Sequence, residues 1–599
     1  MRRTEGGVGF MGMPMTDYFG QTCADMRLPE LSPLSALRSR LVPGHWDVLA
    51  FLLVAVFFIY LAQAAHGLTQ SLAGLEATPI SLAPSALVGY AARTALRMLI
   101  AMGASLVFTF TYATLAAKSH RAEVVLVPLL DFLQSVPILS FSITILFFLQ
   151  LAPERVAGAE MAAIFLIFTS QAWNMAFSFY HSLRSIPDEL IEAARNFQLS
   201  PWMRFWRLEV PFAMPALIWN MMMSMSGGWF FVVASEAINV GHTTVTVPGV
   251  GSYIALAIEQ KNLAAIGYAI GAMFVVILVF DQFLFRPLIA SADWFRLEQE
   301  SGFTQDRPWA LTMMRRSRLL GLIANAFAAL LRAGNRPARP AREARPTAAR
   351  RSHWGDYLWY GVLVLIGALA LWKTIHFVLG EVALKEIGHV IVLGFITLTR
   401  VAVLIGLASL IWVPIGVAVG IRPRVARIVQ PIAQFLAAFP ANLLFPIVVS
   451  AIVLFRLTPD IWLSPLMILG TQWYILFNVI VGASAIAPEL KYASENLGVR
   501  GWLWWRRVAL PAVFPFYVTG AITASGGSWN ASIVSEVATW GQEKLVAHGL
   551  GAYIAGASDA GDFQRSVLGT VVLSLFVVTV NRLFWRPLYA RAERKFRIS

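Results

Sequence analysis

Apolar residues run along this chain in long blocks, and polar residues are confined to the gaps between them. "WDVLAFLLVAVFFIYLAQAA" (46–65) and "VLGTVVLSLFVVTVNRLFW" (567–585) are the first and last blocks. About 20 predominantly apolar residues let a helix cross a bilayer, so each block predicts a spanning helix. Twelve are predicted, near 46–66, 87–117, 123–150, 160–181, 212–236, 263–286, 357–379, 388–420, 429–455, 461–483, 513–537 and 566–586. The fold class is therefore all-α, a polytopic membrane protein. Two charged, tryptophan-rich stretches interrupt the pattern: "PDELIEAARNFQLSPWMRFWRLEVPFAMP" (187–215) and "APELKYASENLGVRGWLWWRRVALPAVFP" (487–515).

The two stretches are copies. Shifted by 300 residues, Trp173, Phe177, Glu189, Ala193, Asn196, Trp202, Pro211 and Pro215 fall on Trp473, Phe477, Glu489, Ala493, Asn496, Trp502, Pro511 and Pro515. Ser235-Glu236 falls on Ser535-Glu536, and Gly249-x-Gly251-x-Tyr253 on Gly549-x-Gly551-x-Tyr553. Earlier in the repeat the shift is 303, pairing Arg97 with Arg400 and Pro128 with Pro431. The chain is a tandem duplication with six spans per copy. Six is even, so both copies point the same way.

Charge orients them. With the N-terminus inside, inner loops hold Lys118, Arg121, Arg184, Arg195, Arg204, Arg207, Arg422, Arg424 and Arg427, together with the basic C-terminal tail. The outer loops hold few cations. Cytoplasmic loops carry the Lys/Arg excess, so both termini and both interrupting stretches are expected in the cytoplasm. The first apolar block reads as a retained anchor rather than a cleaved signal. Residues 291–353 divide the copies. "RPARPAREARPTAARR" (336–351) has nothing apolar to pack and reads as a linker. "RRSRLLGLIANAFAALLRAG" (315–334) is short for a span and reads as a helix on the inner surface. The expected organisation is a cytoplasmic tail at 1–45, a first membrane domain at 46–290, a linker at 291–353 and a second membrane domain at 354–599.

Composition removes several functions. Of the residues, 58% are hydrophobic and 13% charged, against about 25% charged in soluble domains. The net charge of +14 is accounted for by the inner loops, so no nucleic-acid partner is expected. A single cysteine, Cys23, excludes a disulfide framework. The nine histidines lack H-x-x-x-H spacing, so no metal site is expected. None of the seven lysines follows a glycine, so there is no Walker A loop to cradle ATP phosphates. The chain is not expected to be an enzyme and has no cofactor of its own.

Each interrupting stretch reads as a helix–turn–helix on the membrane surface. Ser185 is a permissible N-cap with Pro187 in the first turn. Leu190, Ala193, Ala194 and Phe197 then share one helical face. Ser200-Pro201 restarts a helix, and Pro211 is expected to stop it. An amphipathic helix at the bilayer edge would look similar; duplication and the small-residue face favour docking of a partner.

"EAARNFQLSPWMRFWRLEVP" resembles the EAA loop of binding-protein-dependent ABC importer permeases. The family pattern is E-A-A, a glycine after a three-residue spacer, and a terminal hydrophobic-Pro. Glu192, Ala193, Ala194 and Pro211 fit, with Gln198 in the glycine position. In the second copy Ala493, Ser494, Gly498 and Pro511 occupy the corresponding places, and Glu489 repeats Glu189. "GGWFFVVASE", "GSWNASIVSE" and "TLTRVAVLIGLASLIWVPIGVAVG" resemble the nitrate/sulfonate/bicarbonate/taurine branch. The resemblance covers about 85–290 and 388–590. It implies a fused two-domain permease whose loops dock on two cytoplasmic ATPase subunits. Those subunits would hold ATP and Mg, one copy of this chain would serve each transporter, and a solute-binding protein would deliver a small anion. The alternative is a secondary transporter with two six-helix repeats, which would have no reason to duplicate the cytoplasmic segment.

Candidate path residues are Trp229 and Trp529, Asn220 and Asn530, Ser235 and Ser535; the tryptophans read more readily as helix-packing or interfacial residues, and the asparagines could instead hydrogen-bond between helices. Arg97 with Glu236, and Arg400 with Glu536, are expected at one level near the outer helix ends. Each arginine could pair with its glutamate or face an entry vestibule. A left-handed glycine ends helices without strain. The Gln198 loop is therefore expected to turn differently from the Gly498 loop.

Overall fold

The computed structural model describes residues 80–135, 156–240, 243–292 and 382–596, with a few isolated positions between them. The first predicted span, the surface helix and the linker lie outside the described residues, and so does most of the seventh span. The first copy comprises α1 (Pro84–Lys118), α2 (His120–Ser135), α3 (Val156–Arg184), α4 (Asp188–Asn196), α5 (Pro201–Ser235), strands β1 (Ala237–Val240) and β2 (Thr243–Thr246), α6 (Val250–Glu259) and α7 (Leu263–Ile289). The second has α8 (Leu384–Gly420), α9 (Pro423–Ala438), α10 (Phe445–Leu454), α11 (Pro459–Leu469), α12 (Gln472–Ser484), α13 (Pro488–Asn496), α14 (Gly501–Ser535), β3 (Val537–Trp540), β4 (Glu543–Val546), α15 (Leu550–Asp559) and α16 (Phe563–Ala592).

Among the described residues seven helices are long and apolar enough to cross a membrane, or nine if each of two bent pairs is one span. The bends modify the predicted ninth and tenth spans. The ninth is broken by 77° between α9 and the helical stretch Ala441–Leu454. Phe439 sits there with ψ 128, in the extended region that the following Pro440 imposes. The tenth bends by 43° between α11 and α12.

Four prolines, among them Pro211, which reads as a stop, lie inside continuous helices. Before Pro211, residues Phe205–Glu209 form a π-turn, and the Val210 amide donates to the Phe205 carbonyl. Trp505–Ala509 does the same before Pro511. Asp281–Phe285 and Asn581–Trp585 precede Pro287 and Pro587. A proline ring normally strikes the carbonyl four residues back and removes one hydrogen bond. The wider π-turn shifts that carbonyl and absorbs the missing donor. Pro211 and Pro511 therefore do not end the second helix of the helix–turn–helix. They let it run unbroken from Pro201 and Gly501 into the membrane-spanning α5 and α14.

The turn before it differs from expectation too. Pro187 itself is the N-cap of α4, while the Ser185 hydroxyl bonds the Ser182 carbonyl. Ser200 does cap α5, accepting from the Met203 amide at 3.2 Å. The Gln198 and Gly498 loops turn alike, with φ of 50° and 65°. In both, the next amide reaches back five residues, Leu199 to Ala194 (3.1 Å) and Val499 to Ser494 (2.9 Å). This Schellman pairing satisfies the last helical carbonyls, and it holds Gln198 in a conformation that costs about 1 kcal/mol.

Two large apolar cores form, one around Trp229 and one around Trp529, both 1% exposed, and the first also takes in Leu443, Phe445, Val449 and Ile452 of the second copy. The copies meet where α5 packs on α9. There the Ser226 hydroxyl donates to the Ala437 carbonyl, and the Asn442 amide to the Phe230 carbonyl at 3.0 Å. At the end remote from α4 and α13, each copy carries a two-stranded hairpin that the helical reading did not anticipate. Trp540 on β3 is buried in the core of the first copy, and the Gly541 amide donates to the Ile258 carbonyl.

Candidate functional site

The end of the bundle remote from α4 and α13 is held by one charged cluster in each copy. Thr94 and Arg97 are one turn apart on α1, Glu160 lies near the start of α3, and Glu236 follows the last residue of α5. The Arg97 guanidinium takes the Glu160 carboxylate in a two-pronged contact. It donates to Glu236 Oε1 at 2.5 Å and to the Pro248 carbonyl at 2.8 Å. The Thr94 hydroxyl donates to Glu236 Oε1 at 2.6 Å and accepts from the Val250 amide. The Gly251 amide, in the first turn of α6, donates to Glu236 Oε2 at 2.6 Å. A helix N-terminus favours an anion there. Arg97, Glu160 and Glu236 are all buried. Every charge in the cluster has an opposite partner and most polar atoms are used, which is the condition for burying ions at tolerable cost.

The second copy repeats the plan with looser closure. Arg400 contacts Glu536 Oε1 at 3.3 Å and Asp460 Oδ1 at 2.9 Å. Thr397 donates to Glu536 at 2.9 Å, and the Ala552 amide donates to Glu536 Oε2 at 3.0 Å. Asp460 is 45% exposed, and His548, where the first copy has Pro248, lies 3.0 Å from it. Sequence reasoning missed Glu160, Asp460, Thr94 and Thr397. The signal was present, since they obey the same 300- and 303-residue shifts. The cluster also explains the glycine motif: a Cβ on Gly249 or Gly549 would overlap the Glu236 or Glu536 carboxylate.

Between the copies lies a cavity of about 340 Å³. Trp173, Phe230, Tyr474 and Trp529 give it an aromatic lining, and Gln134, Asn174, Thr471 and Asn530 supply polar groups. Gln134 and Asn174 are bonded to each other at 2.8 Å. No ionisable acid or base other than Tyr474 lines it among the described residues. Neither arginine reaches it. Asn530 lines it while donating to its own helix at Gly526. Asn220 lies elsewhere, donating to the Ser178 hydroxyl at 2.9 Å. Trp229 stacks edge-on against Phe280. Ser235 is bonded to the Val232 carbonyl, and Ser535 is buried without a hydrogen-bond partner.

At the opposite end the two helix–turn–helix segments project. Glu189, Glu192, Glu489 and Ala493 are exposed, Ala193 is half-buried, and Ala194 and Ser494 are turned inward. Pro211 and Pro511 are half-buried in the continuous helices. Large apolar side chains occupy the tips. Phe197 and Leu497 are each 79% exposed, and Trp202 and Trp502 are exposed beside them. Their positions one turn-loop apart form an apolar knob in each copy, which the alanine-centred reading overlooked.

The family described as "Binding-protein-dependent transport system inner membrane component" matches residues 109–288 and, again, 412–589. The chain belongs to this family. Each match contains one helix–turn–helix segment and part of the cavity lining, so the chain holds two inner membrane components in tandem. Among relatives, the nitrate import permease protein NrtB of Leptolyngbya laminosa is 27% identical over 31% of this chain and 63% of its own. The bicarbonate transport system permease protein CmpB of Synechococcus elongatus is 27% identical over 30% of this chain and 60% of its own. The glycine betaine/carnitine transport permease protein GbuB of Listeria monocytogenes is 26% identical over 27% and 52%. The chain thus spans about three fifths of the length of the first two.

Proposed function

We propose that this chain is the complete membrane part of an ATP-driven importer, two permease halves fused into one polypeptide. The observation that carries this reading is the double family match, with a projecting segment in each matched region. In this reading α4 and α13, with the knobs Phe197/Trp202 and Leu497/Trp502, seat two cytoplasmic ATPase subunits that bind ATP and Mg. One copy of the chain serves each transporter, and a binding protein delivers solute to the end that holds the Arg97 and Arg400 clusters. Both termini lie in the cytoplasm, and residues 291–353 link the halves on that side.

The continuous helices are suited to this work. A continuous helix from Pro201 to Ser235 joins the docking turn to the cavity wall and the remote cluster, so displacement at one end reaches the other. The π-turn at Phe205–Glu209 supplies local compliance without breaking the helix.

The solute is a small anion, as the names of the nitrate and bicarbonate relatives suggest. The cavity would hold it with neutral amides and hydroxyls rather than a fixed cation, an arrangement that binds weakly enough to release. The test is uptake into vesicles containing this chain, its ATPase and its binding protein, with labelled nitrate, bicarbonate, taurine and glycine betaine as probes. ATP-dependent accumulation of one of the anions supports the proposal. ATP-independent accumulation driven by an ion gradient would replace it with the secondary transporter.

A further inference from the structure

The two projecting arms are tied to the bundle by different chemistry. In the first copy the π-turn of α5 contains Glu209, which is 2% exposed. Lys118 Nζ, at the end of α1, lies 2.8 Å from Glu209 Oε2, and Arg204 Nε lies 3.0 Å from Oε1. Lys118 also sits over the Phe205 ring, 5.6 Å from its centre. The repeat provides an internal control. The corresponding residues of the second copy are Ile421, Trp504 and Ala509, and all three belong to its apolar core. A second contrast lies alongside. Glu123 accepts from the Tyr180 hydroxyl at 2.5 Å and lies 3.8 Å from Arg184. Ala426, Ile480 and Ser484 stand in the corresponding places.

We propose that Glu209 is a positioning residue that clasps the first arm to α1 through Lys118, with Arg204 of the arm itself as its second cation, and that the second arm is held by apolar packing alone. The clasp sits at the one point of α5 where the helix is widened and compliant. A π-turn lacks the regular α-helical hydrogen-bond ladder, so something must fix the arm's angle there. In the first copy the fixing force is a carboxylate shared by two cations on two different helices. In the second it is the packing of Trp504, Ile421 and Ala509 into one apolar core. The arms are therefore mechanically unequal. The first transmits motion to α1 through close charge contacts, which one atom change can release. The second transmits through area, which no single polar substitution releases.

This rests on the reading that the arms seat ATPase subunits, and the test separates the two. In a Cys23→Ser background, spin labels go at Val107 and Phe197 for the first arm, and at the corresponding Leu410 and Leu497 for the second; all four are more than 60% exposed. Distances are measured on the full complex in nanodiscs, nucleotide-free and with ATP plus vanadate. Cross-linking from Phe197→Cys to the ATPase in the otherwise wild-type chain tests seating alone; its failure removes the seating reading and leaves the clasp geometry to the nucleotide-free distances. In the wild type both distances should be narrow and unchanged by ATP–vanadate, because each arm is held to the helix that carries the other label, α1 or α8. Glu209→Gln should broaden the first-arm distance already without nucleotide, shift it by several ångströms on ATP–vanadate, and leave the second arm untouched. The triple variant Lys118→Ile, Arg204→Trp, Glu209→Ala installs the second copy's chemistry and should restore the narrow distance. A wild-type response in Glu209→Gln overturns the proposal. If Glu209→Gln does not assemble, the triple variant decides: assembly with wild-type distances supports the clasp, and failure to assemble or a loose first arm overturns it.

Discussion

Replacing Arg97 by glutamine should cost far more than the same change at Arg400. Arg97 is 1% exposed and holds two buried carboxylates and a backbone carbonyl. Glutamine cannot supply the charge or span all three partners. Glu160 and Glu236 would then remain buried with like charge and no cation. Removing one partner of a buried ion pair typically costs 3–5 kcal/mol, and two carboxylates are stranded here, so about 5 kcal/mol is expected. At Arg400 one partner, Asp460, is 45% exposed and can rehydrate. Glu536 keeps Thr397 and the Ala552 amide. The loss is then that of a charged hydrogen bond or two, about 1–3 kcal/mol. The assay is the yield of monodisperse protein after detergent extraction, with its thermal midpoint. Arg97→Gln should give little folded protein, whereas Arg400→Gln should give a folded protein with a modestly lowered midpoint. Equal effects, or a greater loss at Arg400, would refute the argument that burial and partner number set the cost.

Gly249→Ala and Gly549→Ala place a methyl group on a buried carboxylate and should each destabilise by about 3 kcal/mol. Gly556→Ala, in a helix with no atom near the added Cβ, should instead stabilise by about 0.5–1 kcal/mol; thermal midpoints of the three variants check the order. Because both arm loops adopt a left-handed residue, Gly498→Gln should cost about 1 kcal/mol and Gln198→Gly should recover a similar amount. Circular dichroism melts of each variant would show whether the two shifts are opposite in sign.

The duplication, the helical class and the projecting segments were legible because each rests on a pattern of many residues. The 300-residue shift needs no structure to be seen, and it pairs Arg97 with Arg400 and Glu236 with Glu536 before any contact is known. What escaped detection depends on geometry that sequence encodes ambiguously. Pro211 reads as a stop because proline usually is one; only the π-turn before it reverses that meaning. Gln198 reads as a departure from glycine, yet the Schellman hydrogen bonds outweigh its local strain. Glu160 and Asp460 differ in residue type, so their equivalence is visible only once position is given more weight than identity. Lys118, Arg204 and Glu209 have no polar counterparts in the second copy, and a search for repeated features passes over them. Glycine at 541 with a two-residue loop between Trp540 and Glu543 is a hairpin signal, but it is hidden between two strongly helical blocks.

The central claim is that one chain supplies both halves of the transporter and seats two ATPases. Native mass measurement of the complex, purified with its ATPase in a mild detergent, tests it most directly. The account predicts one copy of the 599-residue chain with two ATPase subunits. Two copies of the chain with two ATPases would contradict it, because one arm of each copy would then have no subunit to hold.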